Sequence, residues 1–202
     1  MKNILTILAA TLIGVTAQAA LLSEIFVGGS TGGQLIYTKS AIKYTMNNSG
    51  IPAGFLLGYK ANNGFFVGAE YTYIGGGYLD TQSPTTHPKL TTSHHIGGLK
   101  LGYAGSKFKV FASYNPGDTM YVYRKASTQT NHPDVFYGSS VTAGLGFRFN
   151  PKWGIDLSYV THTYTNFDFG ASKYQTITAS STFNKVTDTN GVINLVYSMG
   201  GK

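Results

Sequence analysis

The chain has 202 residues, with 15 Lys and Arg against 8 Asp and Glu, a net charge of +7 and no cysteine. Charged residues make up 11%, against roughly 25% in typical domains, whereas glycine reaches 26, tyrosine 15 and phenylalanine 12. This excludes a disulfide-stapled secreted scaffold and, because the bases are spread along the chain, argues against nucleic-acid binding.

The first residues read MKNILTILAATLIGVTAQAA. Lys2 gives a basic start, Ile4 to Thr16 a short apolar run, and Ala17-Gln18-Ala19 the small residues of a cleavage site. These predict an export signal over 1–19, cut after Ala19, with 20–202 as one domain. The apolar run is shorter than the roughly 20 residues that span a bilayer as a helix. No later stretch is long and apolar enough either.

Short segments of alternating polarity then recur, separated by turn chemistry. A first strand is expected over 24–28. Three hairpins follow. Strands 53–59 and 65–74 are joined through KANNG, which carries the Asn63-Gly64 turn signal. Strands 95–103 and 108–114 are joined through AGSK, and 141–149 and 153–163 through NPK, where Pro151 belongs in a turn. A last strand is expected over 192–199, making eight. The remaining connections, 29–51, 75–93, 115–138 and 164–191, are long and lack a helical pattern. Long structureless connections are uncommon in compact soluble domains. They are expected in an all-β, eight-stranded antiparallel up-and-down transmembrane β-barrel with short periplasmic turns and long extracellular loops.

Each strand splits into two faces. In 65–73, Phe65, Val67, Ala69, Tyr71 and Tyr73 oppose Phe66, Gly68, Glu70 and Thr72; the other strands divide likewise. An eight-stranded barrel has an interior just wide enough for its side chains. The aromatic face is too bulky to fill it, whereas the glycine-rich face fits. The aromatics are therefore expected to face lipid. Tyr59, Phe65, Tyr103, Phe108, Phe149 and Trp153 flank the short turns and predict an interfacial aromatic girdle. Tyr71, Tyr73, Tyr114 and Tyr159 predict a second girdle nearer the long connections. Inward parity gathers Glu24, Glu70 and Asp156 with Lys100, Lys109 and Arg148 as a lumen charge network. Arg148 and Asp156 lie within pairing distance on adjacent strands. A selectivity filter or gate is one reading of this set. A plug of salt bridges is the other, and it is favoured because eight strands leave little open lumen.

With these hairpins, such as GFLLGYKANNGFFVGAEYTY and VTAGLGFRFNPKWGIDLSYV, and the last strand GVINLVYSM, the chain resembles the OmpA/OmpX-type eight-stranded outer-membrane barrels and opacity-protein-like surface proteins. The resemblance covers nearly all of 20–202. It implies a monomer in a Gram-negative outer membrane, inserted by the barrel assembly machinery and surrounded by outer-membrane lipid and lipopolysaccharide. Tyr197 stands where the resemblance expects an aromatic near the end of the last strand, although the chain runs on into GGK. No peptidoglycan-binding domain is expected.

Some barrels of this size modify lipid A, which draws attention to histidine. His94 and His162 have inward parity near the long connections, with His95, Ser93 and Thr163 close in sequence. A His with Ser or Thr and a carboxylate can perform acyl transfer or hydrolysis. However, strands four and seven lie across the barrel from one another, and TSHHIGG departs from the His-x-Ser pattern of the lipid A deacylase barrels. His94 and His95 are neighbours on one strand and point to opposite faces, so no metal site is expected from them. No motif implies a cofactor or a catalytic residue. Lys60, Lys107 and Lys152 each mark a short turn, and Lys39 and Lys43 lie in the first long connection; bases at a rim can contact lipopolysaccharide phosphates. The long connections are rich in Tyr, Ser, Thr and Asn, suited to contact with an extracellular ligand. The expectation is a non-enzymatic surface barrel whose loops serve adhesion or interaction. A narrow porin-like channel and a lipid A-modifying enzyme stand as alternatives.

Overall fold

Alternation of large apolar and small or polar residues, sustained through every segment, produces strands and no helix among the described residues of the computed structural model, which are 19–39, 42–81, 90–123, 133–169, 172–176 and 185–199. The strands are β1 (Ala19–Lys39), β2 (Ile42–Ala61), β3 (Phe65–Thr81), β4 (Leu90–Ala104), β5 (Phe108–Tyr123), β6 (Asp134–Arg148), β7 (Trp153–Phe169), β8 (Ser172–Thr176) and β9 (Lys185–Ser198). Each is antiparallel to its neighbours. The sheet runs from β1 through β7 to β9 and closes when β9 pairs with β1. Closure leaves no free edge in the barrel wall. The short β8 adds to the far end of β7, from Asn166 to Phe169. The expected signal segment lies outside the described residues except for Ala19, which begins β1.

At one end the turns are tight. Gly64 takes φ +93°, a conformation open to glycine at little cost, and its amide donates to the Ala61 carbonyl at 2.9 Å. In the NPK turn, Asn150 Oδ1 accepts from the amides of Lys152 and Trp153, each at 2.9 Å.

The other end corrects the sequence reading. Most strands continue far into the segments expected to be loops. β1 and β2 pair as far as Lys39↔Ile42, β3 and β4 as far as Leu79↔Leu90, and β5 and β6 as far as Val122↔Asp134. The strands of the barrel wall, 14–21 residues long, exceed the roughly 9–11 that cross a membrane. The cause of the misreading is local. Register shifts fall between Ser30 and Gly33, between Ile74 and Gly77 and between Asn115 and Asp118. A bulge breaks the period of two, and the alternation read from sequence stops where the period breaks.

The outer face is apolar over a continuous belt, including Leu21, Ile25, Leu57, Leu99, Leu101, Val110, Leu145, Leu157 and Leu195, all exposed. The inner face carries a small apolar cluster of Leu22, Leu56, Phe66 and Phe111 together with most of the acidic side chains. Room for the inward aromatics comes from glycine. A Cβ on Gly144 would lie 2.3 Å from the Phe111 ring and 2.7 Å from the Leu157 carbonyl oxygen, so this position admits no side chain.

Candidate functional site

The lumen is filled at two levels, and each level is set by register. Near the short turns, Lys109 on β5 faces Gly146 on β6, which in turn faces Asp156 on β7. With glycine in the middle of that row, Lys109 reaches across β6, and its Nζ donates to Asp156 Oδ2 at 3.0 Å and to Glu24 Oε2 at 2.6 Å. The Arg148 guanidinium completes a four-membered ring of alternating charge: Nη1 to Asp156 Oδ1 at 2.9 Å and Nη2 to Glu24 Oε1 at 2.8 Å. Lys100 Nζ donates to Glu70 Oε2 at 2.8 Å. The Phe111 ring lies between these groups, with its centroid 4.1 Å from Lys100 Nζ and 5.2 Å from Lys109 Nζ. Lys109 is 1% exposed. All six charges face inward and all are paired, which is the condition for carrying ions in a dry interior.

The second level lies towards the far end. Here the structure corrects the separation of His94 on β4 from His162 on β7: their ring centroids are 5.4 Å apart. The lumen is so narrow that long side chains from opposite walls meet near the axis. His162 faces Asp188 on β9 in register, and its Nδ1 lies 2.5 Å from Asp118 Oδ2. Tyr164 stacks on His162 at an interplanar angle of 2°, and its hydroxyl is 3.3 Å from His94 Nδ1. Asn190 Nδ2 donates to Asp188 Oδ2 at 3.2 Å. His162 and Asp188 are both 0% exposed. Beside this level and towards the strand ends lie the buried apolar side chains of Met120, which is in register with His94, and of Phe136, Phe167 and Val186, together with the buried Asp134.

Asp118 and Asp188 were placed in loops by sequence. Asp188 was within reach, because the inward parity of Val192 continues back through Asn190 to Asp188. Asp118 was not, because Pro116 and Gly117 form a bulge that moves inward parity from odd to even numbers within β5. Of the residues grouped with the histidines, Ser93 is buried, Thr163 is exposed on the outer face, and His95 faces outward. His95 accepts or donates at 2.7 Å to the Tyr71 hydroxyl and lies edge-on to Tyr73 and Tyr121. Tyr71 is therefore half-buried in a ring cluster rather than a free member of an upper girdle, whereas Tyr73, Tyr114 and Tyr159 are exposed.

On the outer face near the short turns, Tyr59, Phe65, Tyr103, Phe108, Phe149 and Trp153 are 42–66% exposed. Phe65 packs edge-on to Tyr103 with centroids 5.6 Å apart, and Trp153 lies against Tyr197 at 4.8 Å. Lys107 and Lys152 are exposed at the turns and Lys60 is half-buried; the side chains of Lys39 and Lys43 lie outside the described residues.

The fold has solved relatives in shape. Ail, the attachment invasion locus protein of Yersinia pestis, in complex with the heparin analogue sucrose octasulfate, superposes with a TM-score of 0.56 at 13% identity, covering 89% of this chain and 99% of that one. Neisserial surface protein A (NspA) gives 0.50 at 11% identity, covering 87% and 96%. No curated protein sequence matches the chain. The family model for the outer membrane protein beta-barrel domain matches residues 5–197, and the closed antiparallel barrel with its apolar outer belt accords with that match. The chain belongs to the family of outer membrane protein β-barrel domains.

Proposed function

We propose that the protein is a non-enzymatic barrel of a Gram-negative outer membrane that acts through its outer surface and far end, presenting its extended hairpins for adhesion or interaction. The observation that carries this reading is the filled lumen. Among the described residues, a ring of ion pairs near the short turns and a buried His–Asp level with apolar side chains beside it occupy the interior. Function then falls to the exterior, where hairpins reach past the apolar belt. The monomeric state, insertion by the barrel assembly machinery and contact with lipopolysaccharide belong to the same reading.

Reconstitution in planar bilayers tests the closed lumen. Silence is expected; discrete current steps that change on Glu70→Gln would replace this reading with the narrow channel. For the far end, cells displaying the barrel are compared with cells in which all four far-end connections are replaced by tight turns. Loss of binding to host-cell surfaces or sulfated glycan is expected, Ail having been solved with a heparin analogue; unchanged binding rejects the adhesion role. Lipid A chemistry is disfavoured because His94 and His162 are buried within the lumen, away from the lipid face. An altered lipid A mass spectrum upon expression would reverse that.

A further inference from the structure

The His–Asp level has the composition of a metal site. His94, His162 and Asp188 come from β4, β7 and β9, are all buried, and each offers one ligand atom within 4.8 Å of the others. His162 supplies an independent pointer. Its Nδ1 lies against the Asp118 carboxylate; a neutral imidazole that donates from Nδ1 to that carboxylate carries its lone pair on Nε2. That Nε2 is buried and has no hydrogen-bond partner. A carboxylate holding one imidazole nitrogen while the other faces a cation is the usual outer-shell arrangement of metal-bound histidine. The ring is further fixed by stacking on Tyr164.

From these contacts we infer that His94, His162 and Asp188 bind one divalent transition-metal ion of the zinc class, with Asp118 as the positioning carboxylate. Two imidazoles and one carboxylate suit zinc and its neighbours and do not suit magnesium or calcium, which take all-oxygen shells. Asp118 and Asp188 put two formal negative charges at this level, which a divalent ion matches. Tetrahedral bonds of roughly 2.0–2.2 Å hold ligands roughly 3.4 Å apart, so the three side chains draw together by about 1 Å on loading. Three protein ligands leave the fourth tetrahedral position to a water, and the ion ties three strands together across the lumen.

The test uses full-length barrel, unfolded with chelator and refolded in detergent with or without the metal so that the buried site fills during folding, and carrying His87→Gln and His132→Gln so that only the inward pair and His95 remain. Titration with zinc against a chromogenic chelator is expected to show one ion per barrel. It is expected to raise the temperature at which the folded band is lost on unboiled gels. His94→Gln or Asp188→Asn abolishes binding, Asp118→Asn weakens it about 10–100-fold, and His95→Gln changes nothing. Cobalt in place of zinc gives intense visible bands of tetrahedral coordination in the background protein itself, a readout that needs no further variant to fold. No saturable zinc binding, no such cobalt spectrum, or binding that survives His94→Gln overturns the site. None of these results bears on the adhesion reading.

Discussion

Single side chains decide how the lumen is closed. Lys109 serves two carboxylates at once, Glu24 and Asp156, and no other described lysine does so. Lys109→Met leaves Arg148 as the described cation that pairs with those acids. Breaking a buried ion pair from one side costs about 3–5 kcal/mol, and a loss of unfolding free energy of that size, read from a lowered urea midpoint, is expected in refolded protein. Lys152→Met, at an exposed turn, is expected to stay within about 0.5 kcal/mol of the parent. Gly144 is the second such position. Gly144→Val collides with the Phe111 ring and is expected to cost about 1–3 kcal/mol. Shortening the ring with Phe111→Leu restores part of that loss, so the double variant should be more stable than the two single effects summed. Strict additivity would mean that the ring and the glycine do not share space.

At the scale of the strand, one inserted residue governs the upper level. β5 carries two residues opposite a single position on each neighbour: Asn115 and Pro116 opposite Gly98 on β4, and Pro116 and Gly117 opposite Ser139 on β6. Deleting Gly117 removes the bulge and restores unbroken alternation, with Asp118 and Met120 still inward. The heat-dependent shift on unboiled gels is expected to survive that deletion. Deleting Thr119 instead turns Met120 and Val122 outward, and the folded band should disappear at a lower temperature. Equal behaviour of the two deletions would show that parity at the far end does not matter. The same bulge explains the limits of the sequence. Where alternation ran unbroken, as from Phe65 to Ile74 or from Trp153 to Thr163, both the strand and its two faces were legible. Past the bulges at Ser30, Ile74 and Asn115 the pattern changes phase, and paired strand looked like loop.

For the whole molecule, the closed antiparallel barrel was readable because three tight turns and two alternating faces recur in every hairpin. The meeting of His94 with His162 was not, since parity gives the direction of a side chain and not the width of the space it enters. Narrowness turned residues on opposite walls into neighbours. It also sorted charge. Among the described residues, six of the chain's eight acids are buried: Glu24, Glu70, Asp118, Asp134, Asp156 and Asp188. Lys100, Lys109 and the mostly covered Arg148 are the bases that join them. Folding thus withdraws carboxylates from the solvent in greater number than cations. Among the described residues the interior therefore carries more acids than bases, while Lys107 and Lys152 stand exposed at the short turns. An anionic surface that approaches the end with the short turns meets lysines there while most of the described carboxylates are turned inward.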